Sequence, residues 1–311
     1  MDVGKFVLAL VIIFSFAFAY WGKSLTTNSS SSAIELANAP NKPPNCKRII
    51  SLAPSITETL FALDLGSNLV GVTTYCDYPP KAKEINKVGG YFYPNNEAIL
   101  TLKPSITMIL SVHTAFKLRA NELGISTLML DNQSVSEILN SMELIGNTCE
   151  VAKKAKELVS KLQARIDKIK LKVAGLPKPR ILISVGRNMG SGSLTDIYIA
   201  GKDGFFNEMI SLSGGVNAFG GSTSKYPIAS EEGILKINPD VIIDIVPDLA
   251  ELSITEVDVL KQWSALKHLK AVKEGRVHIF GDNFAAKPGP RFILILEKLA
   301  KAFHPKVNWD S

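Results

Sequence analysis

Largely apolar runs of five or six residues recur at 48–53, 69–73, 106–110, 126–130, 180–185, 241–246 and 276–280, and each reads as a buried strand. Amphipathic stretches at 54–65, 116–123, 135–145, 205–212 and 290–303 lie between or after them and read as helices. Strands alternating with helices predict mainly parallel sheets with helical crossovers, an α/β class. The longest amphipathic stretch carries Val151, Ala155, Leu158, Leu162, Ile166 and Ile169 in steps of three and four. It predicts one continuous helix over 149–173, after which Leu176-Pro177-Lys178-Pro179 punctuates and the strand–helix scheme restarts. The expected organisation is an N-terminal lobe over 47–148, this interlobe helix, and a C-terminal lobe over 174–311. A single stiff helix between lobes permits only slight rocking.

The two lobes share a phrase. Tyr91 stands six residues before Glu97, and a short amphipathic helix follows until Pro104 and a buried strand. Tyr226, Glu232, Pro239 and the next strand repeat this 135 positions later. Ser55 and Glu58 have capping-box spacing at the start of the first helix, which is expected to stop at Gly66. Pro79-Pro80 stiffens the loop that begins at Thr74, and Pro290 is expected at the first turn of the last helix.

The N-terminus stands apart from both lobes. Lys5 precedes an apolar run over 6–20 containing Ala17-Phe18-Ala19, so 1–19 reads as a cleaved signal peptide or a retained anchor. The run is short of the roughly 20 residues a bilayer span needs. Residues 20–46, rich in Ser, Asn and Pro, read as a disordered linker or tether. Export to a periplasmic or extracytoplasmic location follows. Of the net charge of +6, the 150–172 segment holds +5 on the solvent side of a helix, with no aromatic interleaving, which argues against a nucleic-acid partner. Cys46, Cys76 and Cys149 lack metal-ligand spacing. Buried thiols are the default reading, with a Cys46–Cys149 bridge open in an oxidising compartment.

Ligands of open parallel sheets bind beyond the carboxyl ends of the strands. The segments there carry Tyr75, Tyr78, Asn188, Ser191, Asn283 and Phe284, and Tyr91 and Tyr226 precede the repeat helices. Aromatic, hydroxyl and amide groups suit a large, partly flat, neutral ligand. The candidate ligand-binding residues are Tyr75, Tyr91, Tyr226, Phe284 and Asn188, each with half-buried packing as the alternative. The glycine-rich 186–193 segment reads as a mobile binding loop. No nucleophile elbow, phosphate loop or metal-binding histidine spacing is present, and His113, at a strand end, reads as structural. No catalytic residue, metal or resident cofactor is therefore expected. Glu97 and Glu232 each open a helix, where a carboxylate is favoured locally. Their matched placement adds a second reading, one acidic knob per lobe for a partner bearing basic residues.

The segments Arg48-Ile49-Ile50-Ser51-Leu52-Ala53-Pro54-Ser55-Ile56-Thr57-Glu58, Val70 to Pro80 with its Tyr75-Cys76-Asp77-Tyr78-Pro79-Pro80 run, Val88-Gly89-Gly90-Tyr91 and Glu97 to Leu100 resemble the substrate-binding proteins of cobalamin and ferric-siderophore ABC importers. The resemblance covers about 47–303 and is closest to cobalamin-binding members. It implies a monomeric two-lobed receptor with a rigid interlobe helix, working with an ABC permease and its ATPase. Glu97 and Glu232 would dock on permease arginines. Cobalamin or a ferric chelate would be transported ligand, not cofactor. Tyr75 matches the tyrosine of the aromatic box that surrounds the corrin. Tyr91 and Tyr226 stand where cobalamin binders commonly carry tryptophan, and haem-binding relatives use tyrosine near the Tyr91 position. A ferric-siderophore or haem receptor is thus the alternative, with Arg187 and Arg291 open as cleft cations. A secreted α/β enzyme is the rival from another class.

Overall fold

A computed structural model describes residues 45–189, 194–221, 224–247 and 249–309. The expected signal or anchor segment, the linker up to residue 44, and Gly190 to Ser193 of the glycine-rich loop lie outside the described residues. No described helix is long and apolar enough to cross a membrane.

In the first lobe, strands β1 (Ile49–Ser51), β2 (Leu69–Val72), β3 (Ile106–Leu110) and β4 (Thr127–Leu130) form an all-parallel sheet in the order β2-β1-β3-β4. Every residue of β1 and β3 is buried, as expected of strands covered on both faces by α1 (Pro54–Ala62), α2 (Asn96–Thr101), α3 (Thr114–Glu122) and α4 (Val135–Thr148). In the second lobe, β5 (Arg180–Gly186) pairs in parallel with β9 (Val241–Ile245) and the short β7 (Val216–Asn217), and β9 with β10 (Val277–Phe280). The other edge departs from the parallel expectation. β6 (Ile197–Ile199) runs antiparallel to β5, and β8 (Ile228–Ala229) antiparallel to β6. Helices α6 (Phe205–Leu212), α7 (Glu231–Ile237), α8 (Leu249–Leu252), α9 (Glu256–Trp263), α10 (Lys270–Lys273) and α11 (Phe292–Phe303) complete this lobe.

Helix α5 (Ala152–Val173) is the predicted interlobe helix, burying Ala155, Leu162, Ile166, Ile169 and Val173. Leu162 and Ile166 pack in one core with Ile138 and Met142 of α4, Phe206 and Met209 of α6, and Leu296 of α11. The first lobe's last helix therefore shares its core with the second lobe. The Glu208 carboxylate of α6 also accepts from Val135 N–H at 2.6 Å, capping α4 from across the boundary. The lobes are fused along this side, not merely strung on a rod.

The repeated phrase is repeated atom by atom. Asn95 Oδ1 caps α2 by accepting from Ala98 N–H, and Ser230 Oγ caps α7 by accepting from Gly233 N–H. Lys103 and Asn238, at corresponding positions, take left-handed φ values of 45° and 43°. Ser105 Oγ and Asp240 Oδ2 accept from the backbone N–H groups of Arg48 and Arg180, at the starts of β1 and β5. The same two arginine side chains donate to the carbonyls of Lys103 and Asn238.

Local expectations are corrected in three places. Ser55 does not cap α1: the cap position is Ala53 without a side-chain bond, Pro54 fills the first turn, and Glu58 turns toward the other lobe. The helix ends at Ala62, because Asp64 adopts φ 60°. Gly66 is needed for space, since a Cβ there would meet the Phe61 ring at 2.4 Å. Cys46 and Cys149 form a disulfide between the residues preceding β1 and the end of α4, while Cys76 is a buried thiol.

Candidate functional site

A narrow cavity of about 50 Å³, opening into about 600 Å³ when its mouth is included, lies between the lobes and takes Tyr91 from the first and Tyr226 from the second. Tyr91 sits on a tight turn. Asn95 N–H donates to Val88 O at 2.8 Å, and a side chain at Gly89 (φ 98°) would strike Asn95 N at 2.7 Å. His113, at the end of β3, secures this turn. Its Nδ1 accepts from Leu110 N–H at 3.0 Å, which leaves Nε2–H to donate to Tyr91 O at 2.8 Å. Burial lowers its pKa to about 4, so the ring is neutral and both nitrogens are engaged. His113 is structural, as its position suggested, and it positions Tyr91.

Tyr226 is held on the strap leading into β8. Gly201 N–H donates to Lys225 O and Ile199 N–H to Pro227 O, fixing both neighbours. Its ring meets Phe206 edge-on at 6.4 Å. Burial pushes both phenols well above the ordinary tyrosine range, and for Tyr91 the nearby Tyr226 adds to the effect. Both are neutral hydroxyls. The rest of the wall is apolar or amide, with Asn132, Gln133, Phe205 and Phe206, and Lys225 is its one cation. Among the described residues the lining contains no carboxylate. The cavity thus presents two phenols and two amides to a ligand and can orient neutral polar groups around a flat apolar body.

The structure does not place Tyr75, Asn188 or Phe284 in this lining. Tyr75 and Asn188 are half-buried on the β2 and β5 loops. Phe284 belongs to a polar hub that fastens the lobes together. Arg291 donates from Nε and Nη2 to the two carboxylate oxygens of Glu58 at 2.8 and 2.6 Å. Its guanidinium lies 3.8 Å from the Tyr78 ring centre and 4.8 Å from that of Phe284. Lys287 pairs with Asp77 at 2.8 Å, and Asn283 donates to the same carboxylate. Gly289 presses on Ser55, where a Cβ would come within 3.0 Å of its Cα.

Arg187 is committed through Nε alone, its buried Nη1 and Nη2 having no hydrogen-bond partner among the described residues. It is buried inside the second lobe with its Nε donating to Asp244 Oδ2 at 3.0 Å, and Trp263 Nε1 donates to the same oxygen at 2.8 Å. Both arginines considered as cleft cations are therefore tied to carboxylates. The signal for this was present in the sequence, since Asp244 interrupts an otherwise apolar strand and a buried charge needs a partner. Glu97 and Glu232 both occupy the second position of their helices and are exposed, with Lys236 3.3 Å from Glu232. Among the described residues no cluster of His, Cys, Asp and Glu could hold a metal ion.

Comparison with known proteins agrees with this architecture. The uncharacterised ABC transporter substrate-binding lipoprotein YvrC of Bacillus subtilis is 33% identical over 267 residues, covering 83% of this chain and 80% of that protein. The crystal structure of the periplasmic vitamin B12 binding protein BtuF of Vibrio cholerae superposes with a TM-score of 0.71 at 26% identity, covering 84% of this chain and 98% of that one. The periplasmic heme-binding protein RhuT of Roseiflexus sp. RS-1 shares the fold, with a TM-score of 0.71 at 21% identity over 83% of this chain and 98% of that one. The profile described as periplasmic binding protein matches residues 49–283, and the chain belongs to that family.

Proposed function

We propose that this protein is an extracytoplasmic, non-enzymatic receptor that captures a corrinoid and delivers it to an ABC import permease and its ATPase. The observation that carries the ligand assignment is the pair of neutral phenols, Tyr91 and Tyr226, one from each lobe, in a cavity whose described lining holds no carboxylate. A corrinoid is a large ring rimmed with amides, and it needs stacking surfaces and neutral hydrogen-bonding groups. Anionic catecholate siderophores need several cations; the described lining offers Lys225 alone, and both candidate arginines are paired with carboxylates. Haem is the second reading, favoured by phenol oxygens suited to a ferric ion. Titrating the purified protein with cobalamin, haemin and a ferric siderophore, followed by visible-band and tryptophan fluorescence changes, separates the three. Saturable binding of haemin or siderophore in preference to cobalamin would overturn the assignment.

Within this reading, Tyr91→Ala and Tyr226→Ala should each weaken cobalamin binding by about 1–3 kcal/mol, the scale of a lost aromatic anchor, without changing the fold. Titration calorimetry checks this, and unchanged affinity in both variants would mean that the ligand sits elsewhere. Glu97 and Glu232 are assigned to permease docking. Reversing both to Lys should abolish uptake in a transport assay, since each then faces permease cations at a cost of several kcal/mol, and should leave ligand affinity unchanged. Normal uptake by the double variant would refute the docking role.

A further inference from the structure

The two phenols of the cavity repeat each other, so by themselves they do not tell one end of a ligand from the other. Tyr91 and Tyr226 stand 135 positions apart, one from each lobe, and both are neutral. The residue before each breaks the correspondence. Gly90 precedes Tyr91 and has no side chain, whereas Lys225 precedes Tyr226 and lines the cavity. Among the described lining residues it is the only charged one. The fold fixes its place. Lys225 O accepts from Gly201 N–H at 2.8 Å, and the strap lies so close to Gly201 that a Cβ there would collide with Ser224 O. The half-buried lysine stem passes beside Gly204, where a Cβ would stand 3.7 Å from Lys225 Cδ and 3.9 Å from the Gln133 carbonyl oxygen of the first lobe. Asp203 and Glu208, the acidic residues around Gly204 in sequence, are not in the described lining, and the Glu208 carboxylate is engaged as the cap of α4.

We propose that Lys225 orients the ligand and selects for one anionic group on it: the phosphodiester that joins the corrin ring to its nucleotide loop in cobalamin, drawn toward the second lobe. The inference rests on the corrinoid reading and deepens it, from corrinoids in general to the nucleotide-bearing form. Stacking surfaces and amides hold the ring but leave its direction open, because its own amides run round the whole rim. A single cation among neutral walls fixes that direction, since complementary charge sets register and specificity more than raw affinity. An ammonium is a compact point charge that needs no matching fork on the ligand, which suits a phosphodiester. A corrinoid without the phosphate offers that ammonium no anion, so it is discriminated against by the missing partner and not by shape alone.

The test is titration calorimetry of the full receptor with cyanocobalamin and with dicyanocobinamide, which lacks the phosphate and the nucleotide. Three proteins are compared, the parent, Lys225→Met and Lys225→Arg, with circular dichroism checking the fold of each. In low salt the parent's affinity ratio in favour of cyanocobalamin should be about tenfold or more, the scale of one charge-assisted contact. Lys225→Met should reduce that ratio about tenfold, and Lys225→Arg should keep most of it. High salt should bring the parent's ratio toward that of the methionine variant, because the charge is then screened. The phosphorus resonance of bound cyanocobalamin should differ between the parent and Lys225→Met. A ratio that Lys225→Met leaves unchanged, whether both affinities fall together or neither does, would overturn the proposal, and so would a parent ratio indifferent to salt. Failure of the parent to bind either corrinoid would overturn the corrinoid reading and this inference with it.

Discussion

Arg291→Ala is expected to destabilise the protein by about 3–5 kcal/mol at pH 7, because it strands the Glu58 carboxylate without its bidentate partner. The side chains of Glu58 and Arg291 are only 3% and 14% exposed, so solvent screens this pair little. Burial already raises the Glu58 pKa, against the opposing hydrogen bonds and charge of Arg291. The folded state therefore binds this proton more readily than the unfolded chain does. Stability contributed by the group falls as pH rises from the ordinary glutamate range through its raised folded value. Removing Arg291 extends that interval upward, so the deficit should shrink as pH falls toward 4. Adding Glu58→Leu to Arg291→Met should recover most of the loss, since an apolar pair leaves no buried charge. Denaturant unfolding at neutral and acid pH checks both expectations, and a deficit below 1 kcal/mol, or one that grows in acid, would contradict them.

Loss of the Cys46–Cys149 disulfide, by reduction or by double substitution with Ser, is expected to cost about 4–5 kcal/mol. The bridge spans 103 residues, and closing a loop of that size removes much of the unfolded chain's freedom. Because it encloses nearly the whole first lobe, reduction should loosen β1 to β4 before the second sheet, visible as faster amide exchange there. Cys76 does not complicate the experiment. It is buried, hydrogen-bonded with Thr57 and Thr73, and its thiol is pushed up by burial, away from the reactive thiolate. An unfolding midpoint unmoved by reductant would refute the expectation.

The parts of this fold legible in the sequence are those written in local periodicity. The interlobe helix is legible because Ala155, Leu162, Ile166 and Ile169 recur at helical spacing. The two repeat helices are legible because Pro104 and Pro239 end them before strongly apolar strands. What stayed hidden depends on partners distant along the chain. Glu58 and Arg291 are 233 residues apart, so a spacing that looks like a capping box is an ion pair between lobes. The strands β6, β7 and β8, two or three residues each, are too short to show a period. At the site, Tyr91 and Tyr226 are legible through the repeat itself. Phe284, read as a candidate ligand contact, stands beside the Arg291 guanidinium, a neighbour that its position in the sequence could not show.

The correspondence between Arg48 and Arg180, Asn95 and Ser230, Lys103 and Asn238, and Ser105 and Asp240 reaches beyond architecture to history. In each pair the residue types differ or need not agree, yet the bond made or the backbone twist is the same. Chance convergence on four such details, three at an offset of 135 and one at 132, would require each to arise separately. Duplication of a half-length ancestral unit requires them once, with later divergence free to exchange Asn for Ser, or Lys for Asn, wherever the local geometry survives the exchange. Among the described residues the antiparallel edge of β6 and β8 has no equivalent in the first half, and the segment between β9 and β10 is longer than that between β3 and β4; both mark where the second copy was elaborated.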